Sequence, residues 1–176
     1  MRIRNQDGFT LIDILFVIAI IGILSAIALP RLLIAKQSAD AASAIGSLRT
    51  INSGQLTFAL TCDSGFYAPK LTTLGVMPPG SNEPFVSPGL TSADTVMKSG
   101  YVVNVLGTPF ANAPASCNGL PAGEGARAFM ASADPSEPSN RRFFATNANG
   151  TIYEHTSTLA GIMPEVGIPP VGHPLQ

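Results

Sequence analysis

A single carboxylate, Asp13, lies inside the apolar run from Phe9 to Leu29, where 17 of 21 residues are apolar. A charge at the centre of a membrane helix costs about 2.5–3.5 kcal/mol on insertion scales, so a carboxylate there calls for a partner and a function. The remaining chemistry-bearing residues are sparse. Two cysteines, Cys62 and Cys117, are too few for a disulfide scaffold, and two histidines, His155 and His173, cannot build a zinc site by themselves. No G-x-S-x-G elbow, phosphate-binding glycine loop or H-E-x-x-H pair occurs. Asp134 and Glu137 stand on either side of Pro135 in what reads as a solvated loop, a poor basis for a calcium site. Asn149–Gly150–Thr151 fits the glycosylation sequon and reads as a turn. The expectation is a chain with no catalytic residue, no metal and no cofactor: not an enzyme.

The elements that would carry Asp13 follow from composition. The 176 residues suit one domain, or one domain with an appendage, and the net charge of −1 gives no electrostatic basis for binding nucleic acid. Charge is spread unevenly, because the 114 residues from Asp63 onward hold only 13 charged side chains among many Gly, Pro, Ser, Thr and Asn. The chain reads as a greasy N-terminal rod joined to a neutral, loop-rich head. At ~1.5 Å per residue the Phe9–Leu29 run is roughly 31 Å long as a helix, the thickness of a bilayer's hydrocarbon core. Arg2 and Arg4 precede it and keep the first residues cytoplasmic; Arg31 and Lys36 beyond it weaken that bias without reversing it. A cleaved secretory signal is one reading, with Ala26–Ile27–Ala28 as its cleavage site. Against it, the run is well beyond the usual ~7–15 apolar residues and contains a carboxylate. A plain membrane anchor is a second reading, and Asp13 is its difficulty.

The string Gly8–Phe9–Thr10–Leu11–Ile12–Asp13 resembles the processing site of type IV prepilins and of the pseudopilins of type II secretion. The resemblance is strong over residues 5–62 and weak beyond, and most like the type IVa pilins. It implies that a prepilin peptidase cuts after Gly8 and that the new N-terminal Phe9 is N-methylated. It also implies that Asp13, at the fifth mature position, pairs with the terminal amine of Phe9 on a neighbouring subunit. The family usually has Glu where this chain has Asp13, and Asp7 stands beside Gly8 where Lys or Arg is common. Cleavage would leave 8 basic and 10 acidic side chains and create an ammonium beside an apolar helix. A lone carboxylate and a lone ammonium are each costly in hydrocarbon, and pairing between subunits offsets both.

Beyond the membrane run, Pro30 lacks a donor and is expected to kink the helix, with Gly22 marked as a second kink position. Strong helix formers continue the helix, and Ile45, Leu48, Ile51 or Asn52, Gln55, Ala59 and Cys62 recur at steps of three and four, a narrow stripe facing a domain. Lys70–Leu74 and Thr91–Lys98 read as short helices. Tyr101–Leu106, Ala126–Ala133, Arg141–Thr146 and Thr151–His155 read as four strands, the last two joined at Asn149–Gly150. The Pro-rich tail, Pro164–Pro174, reads as extended or disordered. The fold expectation is therefore α+β, a long helix packed on a small antiparallel sheet. Its segments are a leader over 1–8, a transmembrane and filament-core helix over 9–29, an amphipathic helix over 30–62, a globular head over 63–162 and a tail over 163–176. The head would face an oxidising compartment, where Cys62 and Cys117 are expected to pair. The implied function is a filament subunit that polymerises with copies of itself. Its partners would be the prepilin peptidase, an inner-membrane assembly platform and the inner membrane, with the head in the periplasm before assembly and at the cell surface afterwards. A pseudopilin or minor pilin, or a membrane-anchored binding domain that never polymerises, is the alternative.

Overall fold

The computed structural model describes residues 9–175. The first helix, α1, runs from Leu11 to Thr61 without interruption. It passes through Pro30, whose missing N–H leaves the Ala26 carbonyl without its intrahelical donor. The chain divides into two compact units, up to Ala39 and from Asp40 onward. From Ile14 to Leu29 the helix carries no charge and presents apolar side chains all round, and no residue from Phe9 to Ala39 is buried. It is long and apolar enough to cross a membrane.

In the second unit, α1 buries Ala41, Ala44, Leu48, Ile51, Gln55 and Phe58, and Cys62 just past its end continues the series. These alternate in steps of three and four, the seam that keeps one helix face against one partner surface. The partner is a six-stranded antiparallel sheet in which sequential strands are spatial neighbours throughout. Its strands are β1 (Thr95–Lys98), β2 (Tyr101–Leu106), β3 (Met130–Pro135), β4 (Phe143–Asn147), β5 (Ile152–His155) and β6 (His173–Pro174). Tyr101, Val103 and Val105 of β2 alternate into the core beside Ala131 and Ala133 of β3 and Phe144 of β4. The other sheet face carries Met130, Ala145 and Tyr153, covered by Leu159 and Met163 from the segment after β5. With both faces covered, β4 is buried along almost its whole length.

Two short helices, α2 (Leu71–Leu74) and α3 (Pro88–Thr91), lie between α1 and the sheet in sequence. The approach of this segment to α1 depends on Gly54. A Cβ there would stand 2.3 Å from Val86 Cγ2 and 3.1 Å from the Phe85 carbonyl oxygen.

The α+β expectation holds, with corrections. The sheet has six strands, not four. Thr91–Lys98 is not a helix: α3 ends at Thr91, and Thr95–Lys98 is a strand hydrogen-bonded to β2. Its cause is the two-residue turn Ser99–Gly100, with φ of 46° and 71°, the positive pair that suits the twist of a tight hairpin. The third strand begins at Met130 rather than Ala126; Ala126 instead makes isolated bridges with Tyr67 and Pro109. The tail is held in place, and His173–Pro174 forms the sixth strand by pairing with Tyr153 and Glu154.

Candidate assembly site

Helix α1 begins just after Thr10, and Asp13 occupies its first turn. The Thr10 backbone N–H donates to Asp13 Oδ2 at 3.0 Å, and the Thr10 hydroxyl donates to the same oxygen at 2.6 Å. A side chain three residues into a helix that reaches back to the N-cap amide is half of a capping box, and it satisfies a donor the helix itself leaves free. A carboxylate there also lies at the positive end of the helix dipole. Asp13 therefore has a task within its own chain. The spacing Thr10-x-x-Asp13 is the sequence signal for it.

Gly8, the other half of the cleavage site, lies outside the described residues. Phe9 is 87% exposed, and the helix after it presents Leu11, Ile14, Ile18, Ile21, Leu24 and many similar side chains to its surroundings. Each Leu or Ile removed from water gains about 1.5–3 kcal/mol. Among the described residues this surface has no partner, and lipid or other helices would remove it from water. Gly22 has no side chain or neighbouring backbone within 4 Å of where a Cβ would stand.

The head holds no comparable chemistry. Cys62 and Cys117 form a disulfide with a Cα–Cα distance of 4.9 Å, and the Cys117 N–H donates to the Cys62 carbonyl at 2.9 Å. The crosslink ties the C-terminal end of α1 to the loop between β2 and β3. Asp134 is not in a solvated loop: it lies on β3 opposite Val102, with one carboxylate oxygen accepting from the Thr158 hydroxyl and the other buried without a partner. Burial raises its pKa against the opposing effect of the Thr158 bond. Glu137 is exposed, and among the described residues no group of three His, Cys, Asp or Glu side chains stands close enough to hold a metal ion. His155 is on β5, and His173 on β6 faces Glu154 across the ladder. Gly150 (φ 79°) completes a turn in which its N–H donates to the Asn147 carbonyl at 2.8 Å, so the Asn149–Gly150 signal marks the β4–β5 connection.

Three polar arrangements escaped the sequence reading. Fully buried Gln55 accepts from the Ala68 N–H and donates to the Ala68 carbonyl, both at 2.8 Å, and so satisfies the one residue between the bridged Tyr67 and Pro69 that faces α1. A Gln in an otherwise apolar stripe was the available signal. Arg142 makes a bidentate ion pair with Glu154 at 2.6 and 3.0 Å. The hydrogen bond to Arg142 is the largest cause of the lowered Glu154 pKa. Asp63 is wholly buried with neither carboxylate oxygen partnered, and burial pushes its pKa up to about 6.

A family model described as the prokaryotic N-terminal methylation motif matches residues 3–29. The chain is 57% identical over 37 residues to the type IV wide pilus major component PilA4 of Thermus thermophilus, a stretch covering 21% of this chain and 28% of that relative. No solved structure matches the chain. The likeness therefore rests on the segment that holds Phe9, Asp13 and the unpartnered apolar helix. The chain carries the N-terminal methylation motif of prokaryotic prepilins, joined to a pilin-like α+β head.

Proposed function

We propose that this protein is the subunit of a type IV pilus-like filament, polymerising through the apolar half of α1 after removal of residues 1–8. The observation that carries the proposal is the unpartnered apolar helix with one carboxylate in its first turn, inside a prepilin methylation motif. Before assembly the helix rests in the inner membrane, with Arg2 and Arg4 on the cytoplasmic side and the head outside. A prepilin peptidase cleaves between Gly8 and Phe9, and Phe9 is N-methylated. An inner-membrane platform then moves the subunit from lipid into a bundle of identical helices, which replaces one apolar surrounding with another.

In that transfer the Phe9 ammonium meets Asp13 of an adjoining subunit. The meeting of two charges that both avoid hydrocarbon sets the register of the growing fibre. Gly22 and Pro30 are the positions at which the helix bends to fit its neighbours. The disulfide, Gln55 and the covered sheet give the displayed head its rigidity outside the cell.

Fibres sheared from cells with and without this protein, analysed by intact mass, test the reading. The expected subunit begins at Phe9 with an added methyl group. A mature chain beginning at Leu29 would instead be a secreted, unanchored head and would end the proposal.

A further inference from the structure

Asp63 closes the last turn of α1, next to the disulfide, and is 0% exposed. Its carboxylate lies against the returning end of the loop that joins β2 to β3. A Cβ on Gly125 would stand 2.7 Å from Asp63 Oδ2, 3.1 Å from Ala113 Cβ and 3.2 Å from Phe66 Cβ, so the contact admits only glycine. The stacked rings of Phe66 and Phe110, 5.8 Å apart, belong to the same two segments. Here the loop is fastened by the disulfide at Cys117, by the paired hydrogen bonds of Tyr67 with Ala126, and by the Phe110 N–H donating to the Gly125 carbonyl at 2.9 Å. A carboxyl group in such a place, with both oxygens unpartnered, strongly prefers its neutral form.

We propose that Asp63 is a proton-operated latch on residues 108–125: neutral, it packs dry against Gly125 and holds the loop to the end of α1, and ionised, it draws water into that contact and frees the loop between its fixed points. The proton released goes to solvent. Among the described residues no other ionisable group sets the latch. The last turn of α1 has none, the adjoining segments carry Tyr67, Glu124 and Arg127, and Arg127 is stacked on Phe110 at 3.8 Å. Burial is the cause of the raised pKa of about 6, against an ordinary value of 3.8. Because the closed form holds its proton more tightly than the open one, closure is strongest below the ordinary value. It weakens as pH rises to about 6 and is level above that.

Amide hydrogen exchange on the full chain in detergent micelles tests this, with each rate corrected for its intrinsic pH dependence. Between about pH 4 and about pH 7 the opening constant at the Ala113 and Gly123 amides, which bond within the loop between its fixed points, should rise by about fiftyfold, while the Val103 and Phe144 amides of the sheet stay level. Asp63→Asn, which keeps the shape and cannot ionise, should remove that dependence. The same rise in Asp63→Asn, or no rise in the parent protein, would overturn the proposal. Should Asp63→Asn fail to fold, the carboxyl carbon resonance of Asp63 in the parent protein decides: a midpoint near 6 supports the latch, and one near 4 removes it.

Discussion

Replacing Asp13 by Asn separates the cap this carboxylate makes in its own chain from the pairing proposed for it with a neighbouring subunit. Within its own chain Asp13 accepts from the Thr10 amide at 3.0 Å and from the Thr10 hydroxyl at 2.6 Å, and an Asn carbonyl can accept both, more weakly for want of the charge. Helix capping, worth about 0.5–2 kcal/mol, therefore survives in Asp13→Asn and is lost in Asp13→Val. The negative charge is lost in both. On the proposed pairing, the Phe9 ammonium of the neighbouring subunit would then enter the filament core unpaired, a cost of about 2.5–3.5 kcal/mol per subunit on insertion scales. At 1.4 kcal/mol per tenfold, each addition step weakens on the order of a hundredfold. The assay is the amount of subunit in sheared fibres relative to the membrane fraction, with the mature N-terminus checked by mass. Both variants should be cleaved and retained in the membrane, and both should be nearly free of fibres, whereas Asp13→Glu assembles. Normal fibres from Asp13→Asn together with none from Asp13→Val would refute the pairing argument and leave capping as the only role of this residue.

Gln55→Leu should lower the stability of the head by about 2–5 kcal/mol in denaturant unfolding, because it leaves the buried N–H and carbonyl of Ala68 both unpaired. Replacing Cys62 and Cys117 together by Ser should cost about 4 kcal/mol, given a sequence separation of 55, and should abolish the difference between reduced and non-reduced melting curves. Gly54→Ala should destabilise by about 1–3 kcal/mol, since the new methyl group meets Val86 and the Phe85 backbone and the helix cannot yield; an unchanged melting temperature would contradict the close approach. Glu154 has a lowered folded-state pKa, so the stability it contributes is complete above its ordinary value of 4.5 and disappears as pH falls through the folded value. Glu154→Gln should flatten that acid limb of the pH–stability curve.

The N-terminal half of this protein was legible because its physics is local. A run of apolar residues long enough to span a bilayer, with one carboxylate and basic residues ahead of it, limits the environments in which it is stable whatever the rest of the chain does. The seam of α1 was legible in outline for the same reason, since helical periodicity is a property of near neighbours. Strand β2 matched its expected limits, Tyr101–Leu106, because its alternation of buried and part-exposed residues is also local. Pairing across the chain decided the rest. Thr95–Lys98 became an edge strand because β2 lies beside it, and His173–Pro174 became one because β5 had an open edge at Tyr153 and Glu154. The roles of Gln55 and Asp63 depend on Ala68 and Gly125, residues brought to them by the closing of loops. A side chain's type and spacing state what it can bind or exchange. Whether a partner, water or nothing at all meets it depends on which distant backbone arrives, and only the folded packing determines that.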